Sequence, residues 1–331
     1  MTEPVPRRRP GRHAKPDAEA DARADHGGAS DASTSTAVIS PPPTVEFLAG
    51  AAVAILVGGG LSVAAWRSAV GLLVVVAVTQ LLVAVAFAWV TVVSGRTGAL
   101  IIAGIAAAAS DVAVSVWPHG RLGTLLPVLG LAIPAMFVHQ LARGAARVRI
   151  IASLAGTGML VALVIALPAL IQLRHEFLPA TSGGRLVAGV VAAAAGALVV
   201  GYFVDMIMPA PRFDAAVPRG LLAVVAAGGL GGSIGHVVMA EGTQFDSARA
   251  TFAGAAVGAL TGFFAVAAAF IQHSATGVPG GTGSTGGPGS TVSTPSAVSA
   301  FGRRMRPVHS SVLPLALVAP VAFLLCLAIR T

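Results

Sequence analysis

A chain of 331 residues that is 55% apolar and 10% charged, with a mean hydropathy of +0.85, has too little charge to clothe a water-soluble fold of its size. Its formal charge of +8 comes from twenty arginines and a single lysine, Lys15. One cysteine, Cys326, excludes an intrachain disulfide and a cysteine-built metal site.

Residues 1–44 read as a disordered cytoplasmic tail. Arg7, Arg8, Arg9, Arg12 and Lys15 are followed by Asp17, Glu19, Asp21, Asp25 and Asp31, then by a Ser/Thr run ending in Pro41, Pro42 and Pro43. Such a segment cannot bury enough apolar area to offset its ordering entropy. Some thirty mostly polar or small residues separate its basic stretch from the first apolar run, so it is not read as a signal peptide. It also lacks the aromatic interleaving of a nucleic-acid arm, and no nucleic-acid partner is expected.

Nine apolar stretches follow, each long enough to cross a bilayer: Glu46 to Trp66, Ala69 to Val93, Gly98 to Trp117, Leu122 to Ala142, Ile150 to Leu173, Leu186 to Met208, Gly220 to Ala240, Ala250 to Gln272, and Ser311 to Ile329. Backbone groups in hydrocarbon must pair within their own segment, so these predict helices. The fold class is all-α, a polytopic transmembrane helix bundle of about nine spans. Residues 45–273 hold eight of them. Arginine placement sets the orientation. With the N-terminus inside, Arg96, Arg143, Arg147, Arg149, Arg212, Arg219, Arg303, Arg304 and Arg306 face the cytoplasm. Arg67, Arg121, Arg174, Arg185, Arg249 and Arg330 face outward, nine against six before the basic tail is added. The expectation is N-in and C-out in the inner (plasma) membrane.

Four ionisable residues fall within or at the ends of spans: Asp111, His139, Asp205 and His236. A carboxylate at a bilayer centre costs roughly 2.5–3.5 kcal/mol on the insertion scale, against about 0.3–0.6 returned by each Leu, Ile, Phe or Val. The third span therefore inserts only marginally. Asp111 shares a helix face with Gly104, Ala107, Ala108 and Ser115, a small and polar stripe expected to lie against other helices of the bundle. Asp111 and His236 thread into the outer half, His139 and Asp205 near the inner boundary. A relay across these groups and simple local hydrogen bonding are both compatible with the pattern.

The eighth span carries Gly254, Gly258 and Gly262 at four-residue spacing, and the seventh carries Gly228, Gly229, Gly231, Gly232 and Gly235. Small residues at this spacing let helix backbones approach closely, so tight packing is expected. Pro127, Pro134 and Pro168 lie inside spans, where proline kinks helices. Residues 274–310 read as a Gly/Ser/Thr/Pro-rich flexible linker ending in Arg303, Arg304 and Arg306. These arginines are expected to contact anionic lipid headgroups, at about 1 kcal/mol each. Residues 311–331 form the ninth span.

Gly201, Tyr202, Phe203 and Val204, the Gly-rich span after them, and Ala319, Pro320 and Val321 resemble the second half of the CDP-diacylglycerol synthases, or phosphatidate cytidylyltransferases. The resemblance covers about the last 145 residues and implies a membrane protein of lipid metabolism. That family's Ser-Pro-Lys-Lys-x-Trp-Glu-Gly stretch and terminal aspartates, which would bind CTP phosphates and divalent metal, have no counterpart. There is no lysine after Lys15 and no acid after Asp246, Leu198 stands where an aspartate precedes the Gly-Tyr run, and only Pro218–Arg219 resembles the Pro-Lys pair. No catalytic residue, metal ligand or cofactor is carried over.

No H-E-x-x-H, G-x-S-x-G or dinucleotide-binding glycine pattern is present. The expected function is a non-catalytic integral membrane protein, an accessory or scaffold component of bacterial envelope or lipid metabolism with a membrane-protein partner. The alternatives are a transporter or lipid flippase with Asp111 and His236 in a polar cavity, and a cytidylyltransferase-like membrane enzyme.

Overall fold

Ser68 alone separates the first two helices, α1 (Thr44–Arg67) and α2 (Ala69–Val90), and its hydroxyl accepts a hydrogen bond from the Gly71 amide at 2.8 Å. This cap satisfies one of the free amides that open α2. So short a connection makes the two helices antiparallel neighbours. The computed structural model describes residues 44–91, 93, 95–118, 121–142, 150–208, 210–214, 217–241, 243–276 and 299–330. The expected disordered tail before Thr44, Arg143, Arg147, Arg149 and linker residues 277–298 lie outside the described residues.

The remaining helices are α3 (Arg96–Val116), α4 (Leu126–Ala142, entered through a 3₁₀ turn at Arg121–Leu125), α5 (Ile150–Ala166), α6 (Ala169–Glu176), α7 (Ala180–Ile207), α8 (Leu221–Met239), α9 (Ser247–Thr276) and α10 (Ala300–Ala328). Taking α5 and α6 together as Ile150–Glu176, nine helical segments among the described residues are long and apolar enough to cross a membrane. The protein is a polytopic helical membrane protein.

Proline acts differently at each position. Pro168 splits the fifth span, because it cannot donate to the preceding turn; the chain restarts with Ile171 and Gln172 bonding back to the Pro168 carbonyl. Pro134 lies inside a continuous α4, and Pro127 is its second residue, where an amide proton is not needed. Pro307, Pro314 and Pro320 are all accommodated within α10.

Two features depart from the sequence reading. A short hairpin, β1 (Arg212–Asp214) and β2 (Val217–Gly220), joins α7 to α8, with Arg212 opposite Gly220 and Asp214 opposite Val217. In addition, α10 begins at Ala300 and not at Ser311, so Arg303, Arg304 and Arg306 are helical rather than part of a linker. Ser299 caps this helix by accepting from the Gly302 amide at 3.0 Å.

The most enclosed helix is α7, which packs against α1, α8 and α9, and the least enclosed is α4. The closest pair is α8 and α9. Methyl groups on Gly254 or Gly258 would overlap the carbonyls of Gly231 or Ala227, and one on Gly262 would stand 3.1 Å from the Val224 Cα. In lipid, where apolar burial does not drive helices together, such backbone approach is what holds a pair. On the other side α10 touches α1, α2 and α9, linking the α7–α9 group to α2, α3 and α5.

Candidate functional site

The last two turns of α7 bring Tyr202 and Asp205 to the bundle face from which α1 starts. The hairpin folds back over them because Val217, Arg219 and Gly220 are buried along β2. Arg219 donates from Nη1 to Asp205 Oδ2 at 3.0 Å, and the Gly220 amide donates to Oδ1 at 2.8 Å. The side chains of Arg219 and Asp205 are 5% and 0% exposed. A buried ion pair is tolerated only when its hydrogen-bonding capacity is met, and both carboxylate oxygens are engaged here.

The Arg219 guanidinium also lies over the Tyr202 ring, 4.2 Å from its centroid, a distance at which the ring's negative face attracts the cation. Tyr202 in turn donates to Ser310 Oγ at 2.8 Å, with Ser311 Oγ at 3.0 Å. Ser311 donates to the Gly50 carbonyl at 2.8 Å, joining α10 to α1. Gly50 has to be small, since a methyl group there would stand 2.7 Å from the Tyr202 ring. Gln272 of α9 donates to His309 Nδ1 at 2.9 Å and to the Arg306 carbonyl at 3.3 Å. Five elements are thus tied into one polar network.

Within this network is a cavity of about 70 Å³, bounded by Arg219, Arg306, Tyr202, Gln272, Ser310 and Glu46, with Phe47, Pro218, Ala269 and Pro307 completing the wall. It is large enough to hold ordered water or one small polar group. Arg219 is neutralised by Asp205, whereas the half-buried Arg306 guanidinium makes no ion pair or hydrogen bond among the described residues. Beside the cavity, Phe47 and Tyr202 pack with Leu48, Ala51, Phe203 and Met206 along the seam of α1 and α7, which is too narrow to admit a water. Leu48 and Phe203 open toward the outside of the bundle.

The three arginines at the start of α10 lie at the positive end of a helix macrodipole, and the first turn has no acid to compensate. Arg303 and Arg304 are exposed.

The other sequence-selected residues are dispersed. His139 of α4 packs its ring on Gly98 of α3, and its Nε2 is buried without a hydrogen-bond partner. Asp111 accepts from Gln80 Nε2 at 3.2 Å, and the same amide donates to the Val164 carbonyl at 2.9 Å. His236 is exposed on α8, with Thr251 Oγ1 3.3 Å from its Nδ1. No hydrogen bond or ion pair joins Asp111 to His236, or Asp205 to His139. The stripe around Asp111 is also not where the sequence placed it. Gly104, Ala108 and Ser115 are exposed, because α3 turns the face of Ala99, Ala103, Ala106 and Ser110 to its neighbours.

From the sequence Arg219 counts only as a cytoplasmic-side arginine and as the second residue of Pro218–Arg219, and Gln80 and Gln272 carry no role. Arg219 could have been suspected from its short separation from Asp205, since a buried carboxylate requires a cation nearby. Gln80 and Gln272 could have been noticed as amides within apolar spans. Among the described residues no group of three His, Cys, Asp or Glu side chains could hold a metal ion.

Fold and site together define a multi-pass helical membrane protein with an arginine-lined pocket at one end of its bundle. Comparison with protein-family models, curated proteins and solved structures returns no significant match to this chain.

Proposed function

We propose that this is a non-catalytic protein of the bacterial inner (plasma) membrane that binds the anionic headgroup of a phospholipid at its cytoplasmic end. In this reading it serves as an accessory or scaffold component of envelope or lipid metabolism. The observation that carries the reading is Arg306, a half-buried residue that makes no ion pair among the described residues and lines, with Arg219, a cavity of about 70 Å³. A basic pocket between transmembrane helices on the cytoplasmic side suits an anionic headgroup. The reading takes this end of the bundle as cytoplasmic, in line with the arginine bias of the sequence. Arg303 and Arg304 supply the surrounding surface charge, and Arg219 and Tyr202 supply a fixed wall.

The test is lipid retention. Protein reconstituted in bilayers of phosphatidylcholine with phosphatidate or phosphatidylglycerol, then extracted in mild detergent, should retain anionic lipid by native mass spectrometry. Arg306→Gln should lose most of it while eluting normally. Retention unchanged in Arg306→Gln, or equal retention of phosphatidylcholine, would remove the pocket from the account. The accessory role is tested separately: mild-detergent extracts should contain a second membrane protein at fixed stoichiometry.

Neither Asp111 nor His236 lines any of the five best-formed cavities among the described residues, so those cavities lend the transporter reading no support. The cytidylyltransferase reading rests on the resemblance alone.

A further inference from the structure

Two helices on different sides of the bundle carry the same pattern of small and ionisable residues on a mostly exposed face. On α3 it is Gly104, Ala108, Asp111 and Ser115, and on α8 it is Gly229, Ser233 and His236, continued by Ala240, the residue that caps the helix, each series stepping by four, three and four residues. These steps keep a set of side chains on one helix face. Gly104, Ala108, Ser115, Gly229, Ser233 and His236 are exposed, and Asp111 and Ala240 are half-buried. A methyl group on Gly104 or Gly229 would meet nothing within 4 Å. Each stripe is small at three positions and ionisable at the fourth, an acid on one and an imidazole on the other.

The two patterns also match in depth. Gly104 and Gly229 are each the ninth residue of their helix, and Asp111 and His236 each the sixteenth. As third and seventh spans, α3 and α8 cross the membrane in the same direction, so at about 1.5 Å per residue both ionisable groups lie at a similar level. Within one chain they do not meet, since α3 packs on α2, α4 and α5, and α8 on α7 and α9.

We propose that α3 of one copy of this chain packs in parallel against α8 of a second copy, with Asp111 hydrogen-bonded to His236 across the contact. Intramembrane ionisable residues face protein or water far more often than lipid. Among the described residues each of these two has a single neutral side-chain partner: Gln80 at 3.2 Å and Thr251 at 3.3 Å. Each therefore keeps hydrogen-bonding capacity that hydrocarbon cannot satisfy. Asp111 and His236 complement each other, and Gly104, Ala108, Gly229 and Ser233 let the two backbones close to the distance at which side-chain pairs form. Because α3 and α8 lie on different sides of the bundle, one pair of copies cannot make the contact twice, so it propagates head to tail into a ring or a row of copies. It is independent of the lipid reading.

Cysteine cross-linking in native membranes tests this directly. In full-length protein carrying Cys326→Ala, Ser115→Cys and Ala240→Cys stand at equivalent positions of the two stripes. The double-cysteine chain should form a ladder of disulfide-linked oligomers under mild oxidation. Chains carrying one cysteine each, distinguishably tagged and coexpressed, should give only the mixed dimer. Asp111→His should weaken cross-linking roughly 3- to 30-fold, the range expected for loss of one interhelical polar pair. Combining it with His236→Asp should restore the ladder, and equal monodisperse elution of the variants shows that folding is intact. The inference is overturned if both cysteines react with maleimide yet no ladder forms. An Ser115→Cys chain that links to itself as readily as to Ala240→Cys overturns it too, as does an adduct with a protein of another mass. If the exchanged pair fails to restore what Asp111→His removes, the proposed pairing is wrong.

Discussion

Truncating Arg219 tests whether the Asp205 pair is as desolvated as its geometry indicates. Arg219→Met keeps the bulk of the side chain but leaves the Asp205 carboxylate with the Gly220 amide as its remaining donor, in a position where its side chain is 0% exposed. Removing one member of a buried pair costs about 3–5 kcal/mol, because the other charge stays buried without compensation. Loss of the contact with the Tyr202 ring adds to this, by about 0.5–2 kcal/mol. Arg219→Met/Asp205→Leu removes both charges and should lie near the parent or above it, since apolar replacement of a whole buried pair is often neutral or stabilising by about 1–4 kcal/mol.

Cys326 provides the readout. It is the only cysteine in the chain and is 0% exposed in α10, so a thiol-reactive dye reports opening of the fold. Where labelling proceeds through unfolding in mild denaturing detergent, a loss of about 3–5 kcal/mol raises its rate roughly 10²- to 10⁴-fold, at about 1.4 kcal/mol per decade. Parent-like labelling of Arg219→Met would show that the carboxylate is hydrated or re-paired, and a double variant as labile as the single one would refute the desolvation argument.

Two further outcomes follow from the packing and the threading. Gly254→Leu should push α8 and α9 apart, because even a methyl group meets the Gly231 carbonyl; overpacking of this kind costs about 1–3 kcal/mol or more, read by the same Cys326 labelling. A variant that labels like the parent would mean that the two helices separate freely. In a Cys326→Ala background, Arg304→Cys should react with an impermeant maleimide only from the cytoplasmic side. A reporter fused after Thr331 should be active only outside the cell, and the opposite pattern would reverse the orientation drawn from the arginine bias.

Run length and composition determined the class of this protein without help from tertiary structure. A segment in hydrocarbon must satisfy its own backbone, so about twenty apolar residues imply a helix whatever its neighbours are. The positions of Asp111, His139, Asp205 and His236 within or at the ends of spans were legible for the same reason. Which helix faces meet was not, since every span is apolar around most of its circumference and lipid is as good a neighbour as another leucine. The stripe around Asp111 shows the limit: its composition suits a helix contact, yet within the chain that face of α3 stays open. Arg219 and Asp205 are only fourteen residues apart, but their pairing needed the hairpin, whose short strands have no periodicity to announce them. Tyr202 and Ser310 are separated by 108 residues and meet because α7 and α10 converge at one end of the bundle. The pocket exists only in that convergence, where specific polar bonds and close backbone approach, rather than apolar burial, select one arrangement of the helices.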